Sequence, residues 1–371
     1  MEAGKDVRLS SDRQALKAQF LAAHGLADAA RAPLAGDAST RAYERLRPAG
    51  GVSLIFMDQP PSLETAPCPP DATPAERLAL GYNASARLAA GRVDAFVACA
   101  GFLRGRGLSA PQVHAADPSL GLAILEDLGD DLYTRLIEGG ADEAMLYDRA
   151  VDALVRLHET PPPAVLSAQG SQWPLLSYDD LALKTAADLF IEWAPKSNPG
   201  LRFDDGATGA WEELWTPIRA RLDAAADVFC HRDYHADNLI WLTDRPGPAA
   251  VGMLDFQDAL RGHRAWDLMM LLQDARRDVS PAREAASLDR YLAAEPSVPR
   301  EPFLADYAAV AALHACRLIG LFTRLTVRDA KPRYAGYIPR MWGYLARDLK
   351  APGLESLAAW FDRYVPPSVR G

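Results

Sequence analysis

The order of elements along the chain predicts an α+β fold in two lobes, strands first and helices after. Three observations carry that prediction. Short apolar runs bounded by turn residues fill the stretch 41–57, and a stronger β run ends at Leu125. Beyond it nearly every apolar run has helical spacing. The length, 371 residues, also exceeds what one small domain needs.

Taken in order, residues 11–24 predict a helix, with Ser10 or Ser11 as cap and Leu16, Phe20 and Leu21 as its apolar stripe. Residues 34–40 are turn-rich. Two strands follow at 41–46 and 52–57, separated by the turn Pro48-Ala49-Gly50-Gly51. The prolines between Pro60 and Pro74 predict an extended loop with no hydrogen-bonded ladder. Helices are expected at 75–90 and 93–105, and strands at 112–115 and 120–125. Glu126, Asp127 and Gly129 close the last strand, and the lobe boundary is placed there, giving an N-terminal lobe 1–128 and a C-terminal lobe 129–371. Further helices are expected at 142–158, 178–193 and 209–226. A short strand at 228–230 comes next, then a strand pair at 238–242 and 249–254 turning at Arg245-Pro246-Gly247-Pro248, and helices from Arg264 onward. No internal repeat is present.

An apolar share of 49% suffices for a sizeable core, and a net charge of −9 without any basic run disfavours nucleic acid or an anionic membrane as partner. A phosphate site would have to be made positive locally. Cys68, Cys99, Cys230 and Cys316 share no C-x-x-C spacing and are expected as reduced, buried thiols. The start is charged (Glu2, Lys5, Asp6, Arg8), with no apolar stretch and cleavage site after it, and no window approaches an uninterrupted membrane span. A cytoplasmic location is the expectation.

The chemistry is concentrated in His231-Arg232-Asp233-Tyr234-His235-Ala236-Asp237-Asn238 and in Asp255-Phe256-Gln257, seventeen residues past Asn238. The first fits H-R-D-x-x-x-x-N and the second puts an Asp-Phe pair where phosphoryl-transfer enzymes keep a metal ligand. Asp233 would accept the proton of a substrate hydroxyl; Asn238 and Asp255 would offer oxygen to Mg²⁺, which favours one or two carboxylates plus phosphates. Zinc hydrolysis is the rival for His231 and His235, but H-E-x-x-H would need glutamate where Arg232 stands. His231 is read as a loop anchor or a buried core histidine, and Arg232 as the partner of a carboxylate. Asp267, twelve residues after Asp255, opens an apolar helix; a cap that orients the loop is favoured over direct metal contact. So short a gap leaves no room for a long activation segment, which points to a small-molecule acceptor.

In the 34–40 turn, backbone N–H groups of Asp37, Ala38 and Ser39 and the Ser39 hydroxyl could face phosphate oxygens, as in an anion nest; an ordinary hairpin loop is the other reading. The lysine of V-A-I-K is missing, because Met57-Asp58 ends that strand. Arg41 is the candidate replacement cation, with a solvated arginine as the alternative.

These motifs, with Leu254-Asp255-Phe256-Gln257-Asp258-Ala259 and Trp266-Asp267-Leu268, resemble the aminoglycoside phosphotransferase and choline-kinase-like superfamily. Gly36-Asp37-Ala38-Ser39-Thr40-Arg41, Phe56-Met57-Asp58-Gln59-Pro60-Pro61, Ile124-Leu125-Glu126-Asp127-Leu128-Gly129 and Arg328-Asp329-Ala330-Lys331-Pro332-Arg333-Tyr334 are most similar to the bacterial anomeric kinases of N-acetylmuramate and N-acetylglucosamine in cell-wall recycling. The resemblance spans residues 34–345. It implies a bilobal protein-kinase-like fold, a hinge at Glu126 to Leu128 whose backbone bonds adenine, and ATP with Mg²⁺ as cofactors. It also implies transfer to the sugar C1 hydroxyl. That subfamily tends to carry methionine-aspartate in place of the lysine, so Met57 fits it. Residues 67–91 are a departure, an insertion that either reshapes the nucleotide edge of the upper lobe or decorates it, and the glutamate that would pair the lysine is not identifiable. For the sugar, the matching positions are Glu192, Trp193, His235 and Arg317, with a core aromatic as the other reading of Trp193 and a surface residue as that of Arg317. A sugar acid would add Arg328, Lys331 and Arg333 as options. Other small-molecule acceptors (aminoglycoside, amino alcohol, hydroxy amino acid) and a nucleotide-binding pseudokinase are the alternatives.

Overall fold

The computed structural model describes residues 2–34, 41–60 and 67–370. Its upper part is one antiparallel sheet in the order β1-β2-β3-β5-β4, built from β1 (Ala30–Pro33), β2 (Ala42–Arg47), β3 (Leu54–Asp58), β4 (Val113–Asp117) and β5 (Leu122–Glu126). Strand alternation divides its side chains between two faces. Phe56, Leu122 and Ile124 face α1 (Glu2–Ala23), where Phe20 and Leu21 pack on them. On the same face Asp58 accepts ion pairs from Arg13 (2.5 Å) and Lys17 (2.9 Å). Helix α1 runs unbroken past Ser10 and Ser11, so the expected cap is not its start. Ile55 and Met57 face the other way, and Met57 is buried in the main core with Phe96 of α4 (Val93–Gly105).

The helix expected at 75–90 is two short ones, α2 (Pro74–Leu80) and α3 (Tyr82–Ser85), broken at Gly81, whose φ of 95° a residue with a Cβ rarely adopts. A capping box between Thr73 and Glu76 starts α2. This inserted stretch does not decorate the nucleotide edge; it is tied to the lower part. Arg77, 1% exposed, bonds Asp179 at 2.5 and 3.0 Å, and the Ala89 N–H donates to Asp258 at 2.6 Å.

After β5 come α5 (Tyr133–Glu138), which sequence patterning missed, and α6 (Glu143–His158), whose N-cap Asp142 accepts the Met145 N–H. A small hairpin, β6 (Val165–Ala168) with β7 (Ser171–Pro174), was also unforeseen. Helices α7 (Asp180–Ser197) and α8 (Asp205–Ala224) lead to β8 (Ala226–Cys230). The expected strand pair forms as β9 (Leu239–Trp241) and β10 (Val251–Met253), and β11 (Leu260–His263) returns to pair with β8. Then follow α9 (Ala265–Leu272), α10 (Pro281–Ala294), α11 (Arg300–Val327), α12 (Ile338–Asp348) and α13 (Glu355–Tyr364). Helix α11 has the length and apolarity of a membrane span, but it is mostly buried, lying lengthwise on α7. Their approach is so close that a Cβ on Gly320 would fall 2.1 Å from the Leu189 carbonyl oxygen. The strand-rich upper part and the larger helical part make the expected α+β architecture. Cys68, Cys99, Cys230 and Cys316 are free and buried.

Candidate active site

The loop 231–238 leaves β8 and re-enters β9 through a short 3₁₀ turn. Its shape is imposed from below by Asp267. That carboxylate, buried in the first turn of α9, accepts the backbone N–H groups of His231 (2.6 Å) and Arg232 (2.9 Å). Asp267 therefore holds the loop without capping α9, whose N-cap is Arg264. Burial pushes its carboxyl up to about 7, against the pull of the two N–H groups. Arg232 needs such a support, because its φ of 82° lies in the left-handed region, which costs about 1–3 kcal/mol for a residue with a side chain. Its guanidinium does not meet a carboxylate. It donates to the carbonyl oxygens of Ala86 (3.0 Å) and Arg87 (3.5 Å) and covers the Tyr178 ring at 4.9 Å. The inserted stretch thus buttresses the loop. His231 is fully buried against Tyr234 and Phe256, and desolvation lowers its pKa to about 4.

The loop separates two cavities. The larger, about 500 Å³, lies under the sheet and is lined by Ile55, Phe96, Leu125, Glu126, Leu128, Ile240 and, at its inner end, Arg41, Asn238 and Asp255. Glu126 spends its carboxylate on Arg245, on Arg104 (3.4 Å) and on the Gln112 N–H (3.0 Å). Its side chain is thus held by the protein, consistent with a backbone role at this edge. Leu128 packs on Ile240 and Leu242. Asp37, Ala38 and Ser39 lie outside the described residues. Arg45, which sequence reading passed over, bonds Asp127 and Asp130 at 2.7–3.1 Å and lines the same cavity.

At the inner end, the Asn238 Nδ2 donates to the Asp233 carbonyl (2.9 Å) and lies 3.3 Å from His235 Nε2. That leaves Oδ1 as the end of the amide available to a cation. The Leu254 N–H donates to the Asn238 carbonyl at 2.9 Å, which brings Asp255 alongside. Asp255 Oδ1 accepts from Arg41 (2.8 Å) and from Gln257 Nε2 (3.0 Å), while Arg41 also donates to Gln257 Oε1 (2.7 Å) and to the Tyr43 hydroxyl (3.2 Å). Burial raises the Asp255 carboxyl, but Arg41 and the Gln257 bond outweigh it and hold it below the usual range. Gln257 stood in plain view beside Asp255, but no spacing rule marked it.

The smaller cavity, about 180 Å³, opens on the other side of the loop and is lined by Asp233, His235, Gln273, Asp274, Arg276, His314, Arg317 and Tyr334. Burial and the neighbouring Asp255 charge raise the Asp233 carboxyl to about 6, while Arg317 and Arg232 pull the other way. Burial holds His235 and His314 neutral, with pKa values well below 6.5. Of the residues matched to a sugar, His235 and Arg317 reach this cavity. Glu192 and Trp193 do not line it: Glu192 is exposed and pairs with Lys196 (3.6 Å), whose ammonium covers the Trp193 ring at 3.5 Å. Arg328 is held by Asp329 at 2.6 Å, and Arg333 lies exposed over the Tyr334 ring at 5.0 Å. Lys331 is likewise outside the lining. Arg276 and His314 were missed; both belong to helical or turn segments in which nothing but tertiary packing marks the inward side chain.

The donor set at the inner end suits Mg²⁺. Asn238 and Asp255 both line the larger cavity, and their side-chain oxygens are hard donors that leave most positions to phosphates and water, which is the coordination Mg²⁺ favours. Among the described residues no group of three His, Cys, Asp or Glu comes together as a closed metal site.

Comparison with known proteins identifies relatives of the chain. A protein named N-acetylmuramate/N-acetylglucosamine kinase from Caulobacter vibrioides is 65% identical over 98% of this chain and 99% of its own length. One of the same name from Pseudomonas aeruginosa is 32% identical over 84% of this chain and 82% of its own. Among solved structures, the choline kinase LicA from Streptococcus pneumoniae superimposes with a TM-score of 0.57 over 90% of this chain and 99% of that one, at 13% identity, so the likeness there is one of fold. The model of the phosphotransferase enzyme family matches residues 31–313, and the chain belongs to that family.

Proposed function

We propose that the chain is an ATP-dependent kinase that phosphorylates the anomeric hydroxyl of N-acetylmuramate and N-acetylglucosamine, giving the sugar 1-phosphate for recycling of bacterial wall sugars in the cytoplasm. One observation carries the reading: Asp233 lines a small cavity of mixed polar and apolar side chains on one side of a loop whose other side presents Asn238 and Asp255 to a larger cavity. The two reactants of a phosphoryl transfer need that arrangement, each in its own pocket with the base between them. The names of the close relatives supply the acceptor.

In this reading the lobe 1–128 carries the nucleotide, with adenine on the backbone of Glu126 to Leu128, and 129–371 carries the sugar. Asp233 accepts the C1 hydroxyl proton as the C1 oxygen bonds to the γ-phosphorus and the bond to the ADP oxygen breaks. An anomeric hydroxyl is more acidic than an ordinary alcohol, so a carboxylate near pKa 6 suffices as base. Mg²⁺ between Asn238 and Asp255 would neutralise charge on the phosphates. Arg41, and backbone N–H groups of Asp37, Ala38 and Ser39, would add to that neutralisation; Asp267, Arg232 and His231 hold the loop. His235 and Arg317 bind the sugar.

The test is direct. Incubation with ATP, Mg²⁺ and each sugar, followed by ³¹P and ¹³C NMR, should show phosphorus coupled to C1. Phosphate on another hydroxyl, or turnover of neither sugar, would refute it.

A further inference from the structure

The two sugars differ in one respect that matters electrostatically. N-acetylmuramate is N-acetylglucosamine with a lactyl ether on O3, and so carries a carboxylate two ring carbons from the reacting C1. A cavity that accepts both needs a cation at the C3 end for the first, and nothing there that the second must satisfy. The acceptor cavity is lined by two arginines, Arg276 and Arg317. Arg317 is the one whose charge acts on Asp233, and it also acts on His314, more strongly than Arg276 does. Arg276 is not among the main charges on the base; its guanidinium lies against His235 and Asp237 and acts on Asp274.

The Arg276 guanidinium is held and yet partly open. Its Nη1 lies 3.2 Å from His235 Nε2, its Nε is 3.4 Å from Asp237, and its backbone N–H donates to Asp274 at 2.8 Å. Those contacts engage two of its three nitrogens, and 29% of the side chain is exposed at the cavity wall. His235 Nε2 faces two obligate donors, Arg276 and the Asn238 amide, so it is the unprotonated nitrogen and the imidazole stays neutral. Asp237 is shared with Thr134 and is not dedicated to Arg276. The site thus keeps, in the cavity lining, a held guanidinium with one nitrogen left over for an acceptor that brings its own carboxylate.

We infer that Arg276 is a specificity-determining residue that binds the lactyl carboxylate of N-acetylmuramate and makes no equivalent contact with N-acetylglucosamine. The inference rests on the function proposed above and names the residue that tells its two substrates apart.

Arg276→Gln separates the two sugars. With the muramate, kcat/KM should fall about 30-fold, the scale of one charged hydrogen bond; with N-acetylglucosamine it should stay within about threefold, since no such bond is lost. The methyl ester of N-acetylmuramate, which has the bulk without the charge, should lose about the same factor with the wild type and lose nothing further with Arg276→Gln. Arg276→Lys, retaining charge without the fork, should recover part of the muramate activity. An equal fall for both sugars would overturn the inference and leave Arg276 as a support for His235, as would an unchanged muramate rate. A wild type inactive on both sugars would instead refute the proposed function itself, and this inference with it.

Discussion

Arg41→Gln probes the charge arrangement at the inner end of the nucleotide cavity. The wild-type guanidinium makes a charged bond to Asp255 at 2.8 Å and one to Gln257 at 2.7 Å, across 214 residues of chain. If it also meets the nucleotide phosphates, its removal forfeits a charged hydrogen bond worth about 1.5–3 kcal/mol. At about 1.4 kcal/mol per tenfold, KM for ATP should rise about 10- to 100-fold. Glutamine can still bond Gln257, so the shape of the site is largely retained. Asp255 loses a competing cation, so binding of Mn²⁺ alone, followed by electron paramagnetic resonance, should hold or tighten while binding of ATP weakens. The assay is a coupled ADP-release measurement with each substrate varied in turn, alongside calorimetry of nucleotide and metal. An unchanged KM for ATP would refute the reasoning. So would an equal rise in the KM of ATP and sugar, which would mean that Arg41 only fixes the two lobes relative to each other.

Asp233→Asn should lower kcat by about 10²–10⁴-fold while ATP binding measured by calorimetry stays near wild type; retained turnover would sink the proposed base. With Asp233 near pKa 6, kcat/KM for the sugar should climb with pH through about 6 and level off above, and a profile flat from pH 5 to 8 would contradict it. The same group has a stability signature. Its folded pKa lies above the ordinary 3.8, so its contribution is present below about pH 4 and lost as pH rises through 6, and the Tm of Asp233→Asn relative to wild type should rise across that window. Asp267→Ala removes both supports of the strained Arg232 backbone and should cost about 2–4 kcal/mol in urea unfolding, with kcat falling more than either KM; a fully active variant would show that the loop holds its shape unaided. Met57→Lys should not rescue or improve turnover. It buries an unpaired ammonium where 1% of the side chain is exposed, and thermal unfolding should show a loss of several kcal/mol.

The sequence displayed the reaction far better than the acceptor pocket. The 231–238 loop and the Asp255 turn are local in sequence, so spacing alone brings Asp233, Asn238 and Asp255 together as candidates. Four of the five sheet strands and the β9–β10 pair were likewise readable, because period-two alternation and Pro/Gly turns are local signals, whereas β1 (Ala30–Pro33) escaped. What escaped notice depends on distant partners. The strand β11 is four residues long and exists by pairing with β8, more than thirty residues earlier. Arg276 and His314 point into a cavity because α9, α11 and the loop meet there, and no periodicity distinguishes them from other polar residues. Trp193 and Glu192 illustrate the converse. Both have the chemistry a sugar favours, yet Trp193 is buried beneath Lys196 away from the cavity, and Glu192 is exposed to solvent.

The missing lysine acquires a physical account from the sheet register. Met57 on β3 is opposite Tyr43 on β2 and Ala123 on β5, facing inward with its neighbours apolar. An ammonium there would need a carboxylate partner on the helix behind the sheet, and α4 presents Phe96, packed on Phe256 at 4.8 Å. The core at this point has been made dry, and the cation stands instead at Arg41, two residues before Tyr43 along the chain leading into β2. Moving the charge from the middle of the sheet to this edge lets a longer side chain reach past the strand to Asp255. A lysine on β3 would need a second residue to relay its position to the metal loop, whereas Arg41 contacts that loop directly through Asp255 and Gln257. The same guanidinium therefore links the sheet to Asp255, and under the proposed function it supplies the charge that the strand lysine would have brought.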